Sequence, residues 1–349
     1  MSLKDRLAGM ISATGPIPVS AYMTHCLHDP VDGYYATRPG LGADFTTAPE
    51  ISQIFGELIG GWAAQEWLAI GIPDELSLVE IGPGRGVLMA DAMRSTALLS
   101  RFHPALRLQL IEASPALQRI QADRLSAFEP VFREGLADVP AGHTLIIANE
   151  YLDCLPARQF VKDAGEWRER VVGLGPDGEL AFGLAVDRAP QDFGMDQRVS
   201  VEIQPGLETL IDELKARAEA GDVFRALFID YGPDTAAPGD SLRAYQAGKQ
   251  VSPLAAPGLS DLTVDVDFAR LKRLAQSAGL QVDGPVTQSG FLGALGIQQR
   301  LDILIKAQPD EAEAVFRAAN TLVDPSEMGA RFKVICLSSQ GLPPPAGFG

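Results

Sequence analysis

One short segment narrows the fold more than any other. Leu76-Ser77-Leu78-Val79-Glu80-Ile81 is an apolar run that stops on Gly82-Pro83-Gly84-Arg85-Gly86 and continues into Val87-Leu88-Met89. A run of strand length, a glycine turn and a helix-forming stretch together open a β–α unit. The pattern then repeats. LRLQLIE (106–112) reads as a second strand, PVFREG (130–135) holds a short third, and TLIIANE (144–150) is a strongly apolar fourth. SPALQRIQADRLSAF (114–128) reads as the helix after the second strand. VFRALFIDYG (223–232), LQVDGPV (280–286) and RFKVICLSS (331–339) supply a fifth, sixth and last strand. Strands alternating with helices predict a parallel sheet covered on both faces.

The flanks divide the chain. Residues 1–75 read as an N-terminal helical cap, with a helix near Pro18–Leu27 and another from Pro49 to about Gly71. Thr47 and Glu50 have the spacing of a capping box for the second. Residues 76–157 form the first part of the core, and 158–204 a β-rich insertion of short strands with a turn at Pro176-Asp177-Gly178. Residues 205–339 complete the core, with a long loop at 233–266, a helix closed by Gly279, and two late helices near 290–307 and 309–323. The tail 340–349 (GLPPPAGFG from Gly341) is expected to be flexible.

Three ligand classes use such a glycine turn. A phosphate-binding P-loop needs Gly-Lys-Ser/Thr before its helix, and Val87-Leu88 stands there instead. A dinucleotide fingerprint needs G-x-G-x-x-G, and Val87 takes the place of its third glycine. An acidic residue, one apolar residue and then G-x-G-x-G is the methyltransferase form, met by Glu80, Ile81, Gly82, Gly84 and Gly86. S-adenosyl-L-methionine has no pyrophosphate, but its methionyl amine is a cation that Glu80 can attract. Glu112 closes the second strand, where a carboxylate can accept from both ribose hydroxyls. Ser114 and Asn149 join the expected cofactor-binding set, and Thr47 or Gln53 can touch the cofactor from the N-terminal segment Asp44-Phe45-Thr46-Thr47. The alternative is a structural strand–helix turn with Glu112 merely exposed. The fold expected is α/β, a Rossmann-like seven-stranded methyltransferase sheet whose last strand lies antiparallel beside the sixth. An N-terminal helical cap and an antiparallel β insertion decorate it.

Charge constrains the partner. Lys and Arg total 29 against 45 Asp and Glu, a formal net charge of −16. Such a surface repels nucleic-acid backbones and attracts a basic protein or peptide, although acidity also serves solubility alone. Cys26, Cys154 and Cys336 form no C-x-x-C pair, which suits a reducing compartment. No apolar run has transmembrane length, and MSLKDRLAGM has neither the apolar core of a secretion signal nor the Arg/Ser richness of a transit peptide. A cytoplasmic protein without membrane insertion is expected. His25 and His28 flank Cys26 beside Asp29, but two histidines without further ligands do not make a metal site. Trp62 and Trp67 read as core or interface packing.

Several segments resemble a known family. They are DGYYATRPGLGADFTTAPEISQIFGELIG (32–60), VEIGPGRGVLMADAMR (79–94), IEASPALQRIQ (111–121), ANEYLDCLPARQF (148–160), FIDYG (228–232) and DLTVDVDF (261–268). Together they resemble the mitochondrial complex I assembly-factor arginine methyltransferases and their bacterial relatives, over nearly the whole chain. The resemblance implies methylation of a protein arginine, with a complex I subunit as the candidate acceptor, and the N-terminus is expected to put this chain on the bacterial side. A non-catalytic assembly protein with this fold, or a small-molecule methyltransferase, are the alternative readings.

The acceptor side is expected beyond the carboxyl ends of the strands. A guanidinium is bound best by carboxylates, whose oxygens match its planar N–H fork. Glu150 and Asp153, in Asn149-Glu150-Tyr151-Leu152-Asp153, are the first choices to bind and polarise it, with capping of the next helix or turn as the alternative. Asp230, Asp261 and Asp265 are expected to line an acidic mouth, although Asp265 or Asp267 can equally cap the helix from Phe268.

Overall fold

The computed structural model describes all residues except 38–45, 190–192, 194–198 and 236–238. A seven-stranded sheet is built from β1 (Leu76–Ile81), β2 (Leu106–Ile111), β3 (Val131–Arg133), β4 (His143–Asn149), β5 (Val223–Tyr231), β6 (Gln281–Thr287) and β7 (Phe332–Ser338). The order across it is β6-β7-β5-β4-β1-β2-β3. Neighbours from β1 to β5 are parallel, and β7 lies antiparallel between β5 and β6. From β1 the chain winds outward through β2 to β3, then crosses back to β4 and β5. The reversal falls between β1 and β4, where a parallel α/β sheet opens its ligand crevice. All of β1 and β7 and the middle of β4 are buried. Each buried Leu or Ile there stabilises the sheet by roughly 1.5–3 kcal/mol.

The chain divides into two compact units. One comprises Thr46–Leu152, Leu210–Asp234 and Asp267–Gly349, and contains the seven-stranded sheet. The other comprises Met1–Phe45, Asp153–Thr209 and Thr235–Val266. This second unit holds an antiparallel sheet of Arg158–Asp163, Glu166–Leu174, Leu180–Arg188 and Ser200–Ile203, joined at an edge by Ile17–Pro18. The expected helical cap is therefore shared. Helices Leu3–Thr14 and Val19–His28 belong to the second unit, whereas Gln53–Ala69 belongs to the first.

Helix Gln53–Ala69 shows why. A Cβ on Gly56 would lie 2.8 Å from the Leu88 carbonyl oxygen, and one on Gly60 would lie 2.5 Å from that of Ala92. Two glycines one turn apart thus let this helix meet helix Val87–Ser95 backbone to backbone, just behind the glycine turn. The buried Glu57 carboxylate then accepts from Arg94 at 2.9 Å and from Arg300 at 2.6 and 2.9 Å. Trp62 and Trp67 pack in the same core.

Several local expectations change. The helix predicted from Pro49 to Gly71 is broken at Ser52 (φ −151°) into Ala48–Ile51 and Gln53–Ala69. Thr47 makes no side-chain capping bond; Ser52 caps instead, its hydroxyl accepting from the Ile54 N–H. The 233–266 stretch carries a three-stranded antiparallel sheet of Arg243–Gln246, Lys249–Val251 and Asp261–Thr263. The tail is packed rather than loose. The Ala346 N–H donates to buried Glu66 at 2.8 Å, and Phe348 lies against Phe291. Glu66 in turn pairs with fully buried Arg225, whose guanidinium also donates to the Pro343 carbonyl.

Candidate functional site

The glycine turn follows β1. Gly82, Gly84 and Gly86 all have left-handed backbone angles (φ 64°, 54° and 72°). Only glycine enters that region without steric cost, so the three glycines are what permits the turn. The Gly82 N–H donates to the Ile111 carbonyl at 3.0 Å, tying the turn to the end of β2. The Gly86 N–H donates to Pro83 at 2.8 Å, and helix Val87–Ser95 begins there with no side-chain cap.

Register brings three polar side chains to one face. Glu80 is opposite Leu110 on β2 and Ile147 on β4. Side chains alternate along a strand, so Glu112 and Asn149, each two residues on, share the face of Glu80. Glu80 is only 3% exposed, and its Oε2 has no hydrogen-bond partner. The Asn149 Oδ1 is likewise buried without a partner. Two unsatisfied acceptors at the ends of neighbouring strands call for a donor, and a cationic amine answers best. The residues present therefore fit the amino end of S-adenosyl-L-methionine. Glu112 Oε1 accepts from the Ser114 N–H at 2.8 Å, and Oε2 from the Gln121 amide at 3.1 Å. A carboxylate has about four lone-pair sites, so Glu112 retains acceptor capacity for ribose hydroxyls.

Burial, and then the charge of Glu112, pushes the Glu80 carboxyl up to about 8 from its ordinary 4.5. The folded chain therefore holds a proton on Glu80 that the unfolded chain has released between those two values. Its stabilising contribution is complete below about 4.5 and is lost as pH rises through about 8. Glu80→Gln, which cannot ionise, should match the natural chain in melting midpoint near the lower limit and melt several degrees higher above the upper one. Identical pH profiles for the two would show that Glu80 is already ionised in the fold.

The end of β4 is strained. Glu150 has φ 51°, uncommon for a residue with a Cβ, and its N–H donates to Ile229 at 2.9 Å. Its Oε1 accepts from the Ala48 N–H and the Asn149 amide, both at 3.1 Å. Asp230, expected at an acidic mouth, is instead fully buried. Its Oδ2 accepts from the Leu152 N–H and its Oδ1 from the Tyr231 N–H, both at 2.8 Å. Asp230 therefore holds the loop that carries Glu150. Ser114 is 4% exposed and caps helix Pro115–Arg124 by accepting from Leu117. Gln53 is the first residue of helix Gln53–Ala69, and Asp44 and Phe45 lie outside the described residues.

Asp153, Asp261 and Asp265 stand in the second unit. The Asp153 carbonyl accepts from the Val264 N–H at 3.0 Å, and the residue is 9% exposed. An Asp261 oxygen lies 3.5 Å from the Tyr35 hydroxyl. Burial, followed by the charges of Asp261, Cys154 and Asp153, raises that phenol well above its ordinary value. Asp265 pairs with Arg243 at 2.7 Å, and Asp267 caps helix Phe268–Ser277. His28 lies against the Tyr35 ring and Cys26 is buried. Among the described residues no group of three or more His, Cys, Asp or Glu is placed to hold a metal ion. Gln121, which sequence reasoning missed, is fully buried beneath the turn; its only sequence signal was its place at the end of IEASPALQRIQ.

A family model for S-adenosyl-L-methionine-dependent methyltransferases matches residues 58–286. The mitochondrial protein arginine methyltransferase NDUFAF7 of Homo sapiens is 37% identical over 361 residues, covering 94% of this chain and 81% of that protein. Its Danio rerio counterpart is 35% identical over 364 residues, covering 95% and 86%. A protein from Burkholderia thailandensis, solved bound to S-adenosyl-homocysteine, superposes with a TM-score of 0.84 at 26% identity, over 99% of this chain and 93% of that one.

Proposed function

Because the chain belongs to the S-adenosyl-L-methionine-dependent methyltransferase family, we propose that it methylates the guanidinium of an arginine on a basic protein partner. The observation that carries the proposal is Glu150, a carboxylate presented from a strained backbone directly after β4, at the crevice beside the glycine turn. When bound, S-adenosyl-L-methionine supplies a sulfonium methyl for in-line displacement. Glu80 pairs with the amine, Asn149 accepts from it, and Glu112 accepts from the ribose. The three glycines keep the main chain close to the ligand. Glu150 pairs with the planar N–H fork of the arginine, holds one nitrogen in line, and takes up the proton that nitrogen loses. The net charge of −16 favours the approach of a basic polypeptide over the whole surface.

The same reading extends to a bacterial cytoplasm and a respiratory complex I subunit as acceptor. The buried thiols of Cys26 and Cys336 suit a reducing compartment. Among the described residues no helix is long and apolar enough to cross a membrane. Mass spectrometry of complex I subunits from cells with and without the gene tests the acceptor. An arginine methylated in the first and bare in the second is the expected result. An identical set of methylated arginines in both would overturn the assignment to complex I.

A further inference from the structure

Gln121, on helix Pro115–Arg124, is 0% exposed. Its amide nitrogen donates to the Gly84 carbonyl at 2.7 Å and to Glu112 Oε2 at 3.1 Å. Both partners are acceptors, which fixes the orientation of the amide. The stem of the side chain packs beneath the turn, since a Cβ on Gly86 would meet the Gln121 Cγ at 3.5 Å. One NH2 group therefore fastens the turn after β1 to the carboxylate after β2. A primary amide suits this place because it has two donors and no charge. Glutamate would set a carboxylate against two acceptors, and asparagine is a methylene too short to reach both.

We infer that Gln121 is a positioning residue for the cofactor: it holds the Glu112 carboxylate in the orientation that reads the ribose hydroxyls. The inference rests on the assignment of Glu112 to the ribose. Without the amide, Glu112 loses its one side-chain donor and keeps only the backbone N–H groups of Ser114 and Ala113, which leave the Oε2 side less firmly held. Any role in packing alone would weaken every ligand alike. A role in aiming Glu112 weakens only ligands that have the hydroxyls to be read.

The test is calorimetry of the full chain with S-adenosyl-homocysteine and with its 2′,3′-dideoxy analogue. Gln121→Met should weaken S-adenosyl-homocysteine binding by about tenfold or more, the usual scale for losing a charge-assisted hydrogen bond. The dideoxy analogue should bind both forms within about twofold, because it makes no use of Glu112. The double variant with Glu112→Ala should be no weaker than Glu112→Ala alone. Gln121→Asn retains a polar group and gives the same comparison should the Met form fail to fold. Equal losses for both ligands would overturn the inference, as would no loss at all when Glu112→Ala is itself impaired. If Glu112→Ala binds S-adenosyl-homocysteine normally, the ribose assignment fails and this inference falls with it.

Discussion

Gly84→Val is expected to abolish S-adenosyl-L-methionine binding in a chain that still folds. Gly84 has φ 54°, where a β-branched side chain is strongly disfavoured. The local cost of forcing valine there is on the order of 1–3 kcal/mol, little enough for a domain of this size to survive. The ligand suffers far more. Relieving the strain turns the peptide away from the left-handed region and moves the Gly84 carbonyl off the Gln121 amide. The turn then loses its tie to Glu112, and the valine methyls occupy space that the bare backbone leaves open to a ligand. A loss exceeding about a hundredfold should be seen by calorimetry, with a native circular dichroism spectrum and a cooperative melt. Unchanged affinity would remove the glycine turn from the cofactor site.

The parts of the fold that the sequence reveals are those set by local pattern. Apolar runs closed by glycine turns identify the sheet strands, because burial on both faces leaves no polar alternation to confuse them. Glu80 and Glu112 stand out for the same reason: each is an acid at the end of an apolar strand. The four strands of the insertion also follow from their alternation and turns. What stays hidden depends on distant partners. Asp230 ends its strand as Glu80 does, and only the backbone N–H groups of Leu152 and Tyr231 show that it braces a loop. Thr47 and Glu50 have capping-box spacing, yet the break at Ser52 ends that helix after one turn. The tail has a disordered composition, but Glu66 and Arg225, far away in sequence, supply the partners that order it. Gln121 carries no signature of its own, since an amide on a helix is ordinary until its two acceptors are seen.

Glu150→Gln is expected to cut methyl transfer by about a hundredfold or more while cofactor affinity stays within about twofold. The isosteric amide can preserve the local structure. Its Oε1 still accepts from the Ala48 N–H and the Asn149 amide, so the strained turn remains supported. What it loses is the charge that pairs with a guanidinium and the basic oxygen that takes its proton. Glu80→Gln supplies the contrast, because that carboxylate faces the cofactor and its loss should weaken binding first. Lysine should be a poor acceptor for the natural chain, since an ammonium cannot form the planar two-bond pair.

The most direct test of arginine-directed transfer incubates the purified chain with methyl-labelled S-adenosyl-L-methionine and protein extract from cells lacking the gene, then locates the label by mass spectrometry. Label on arginine side chains, none on lysine, and its loss with Glu150→Gln are expected. Label on lysine or on small molecules alone, or undiminished arginine labelling by the Glu150→Gln chain, would contradict arginine-directed transfer.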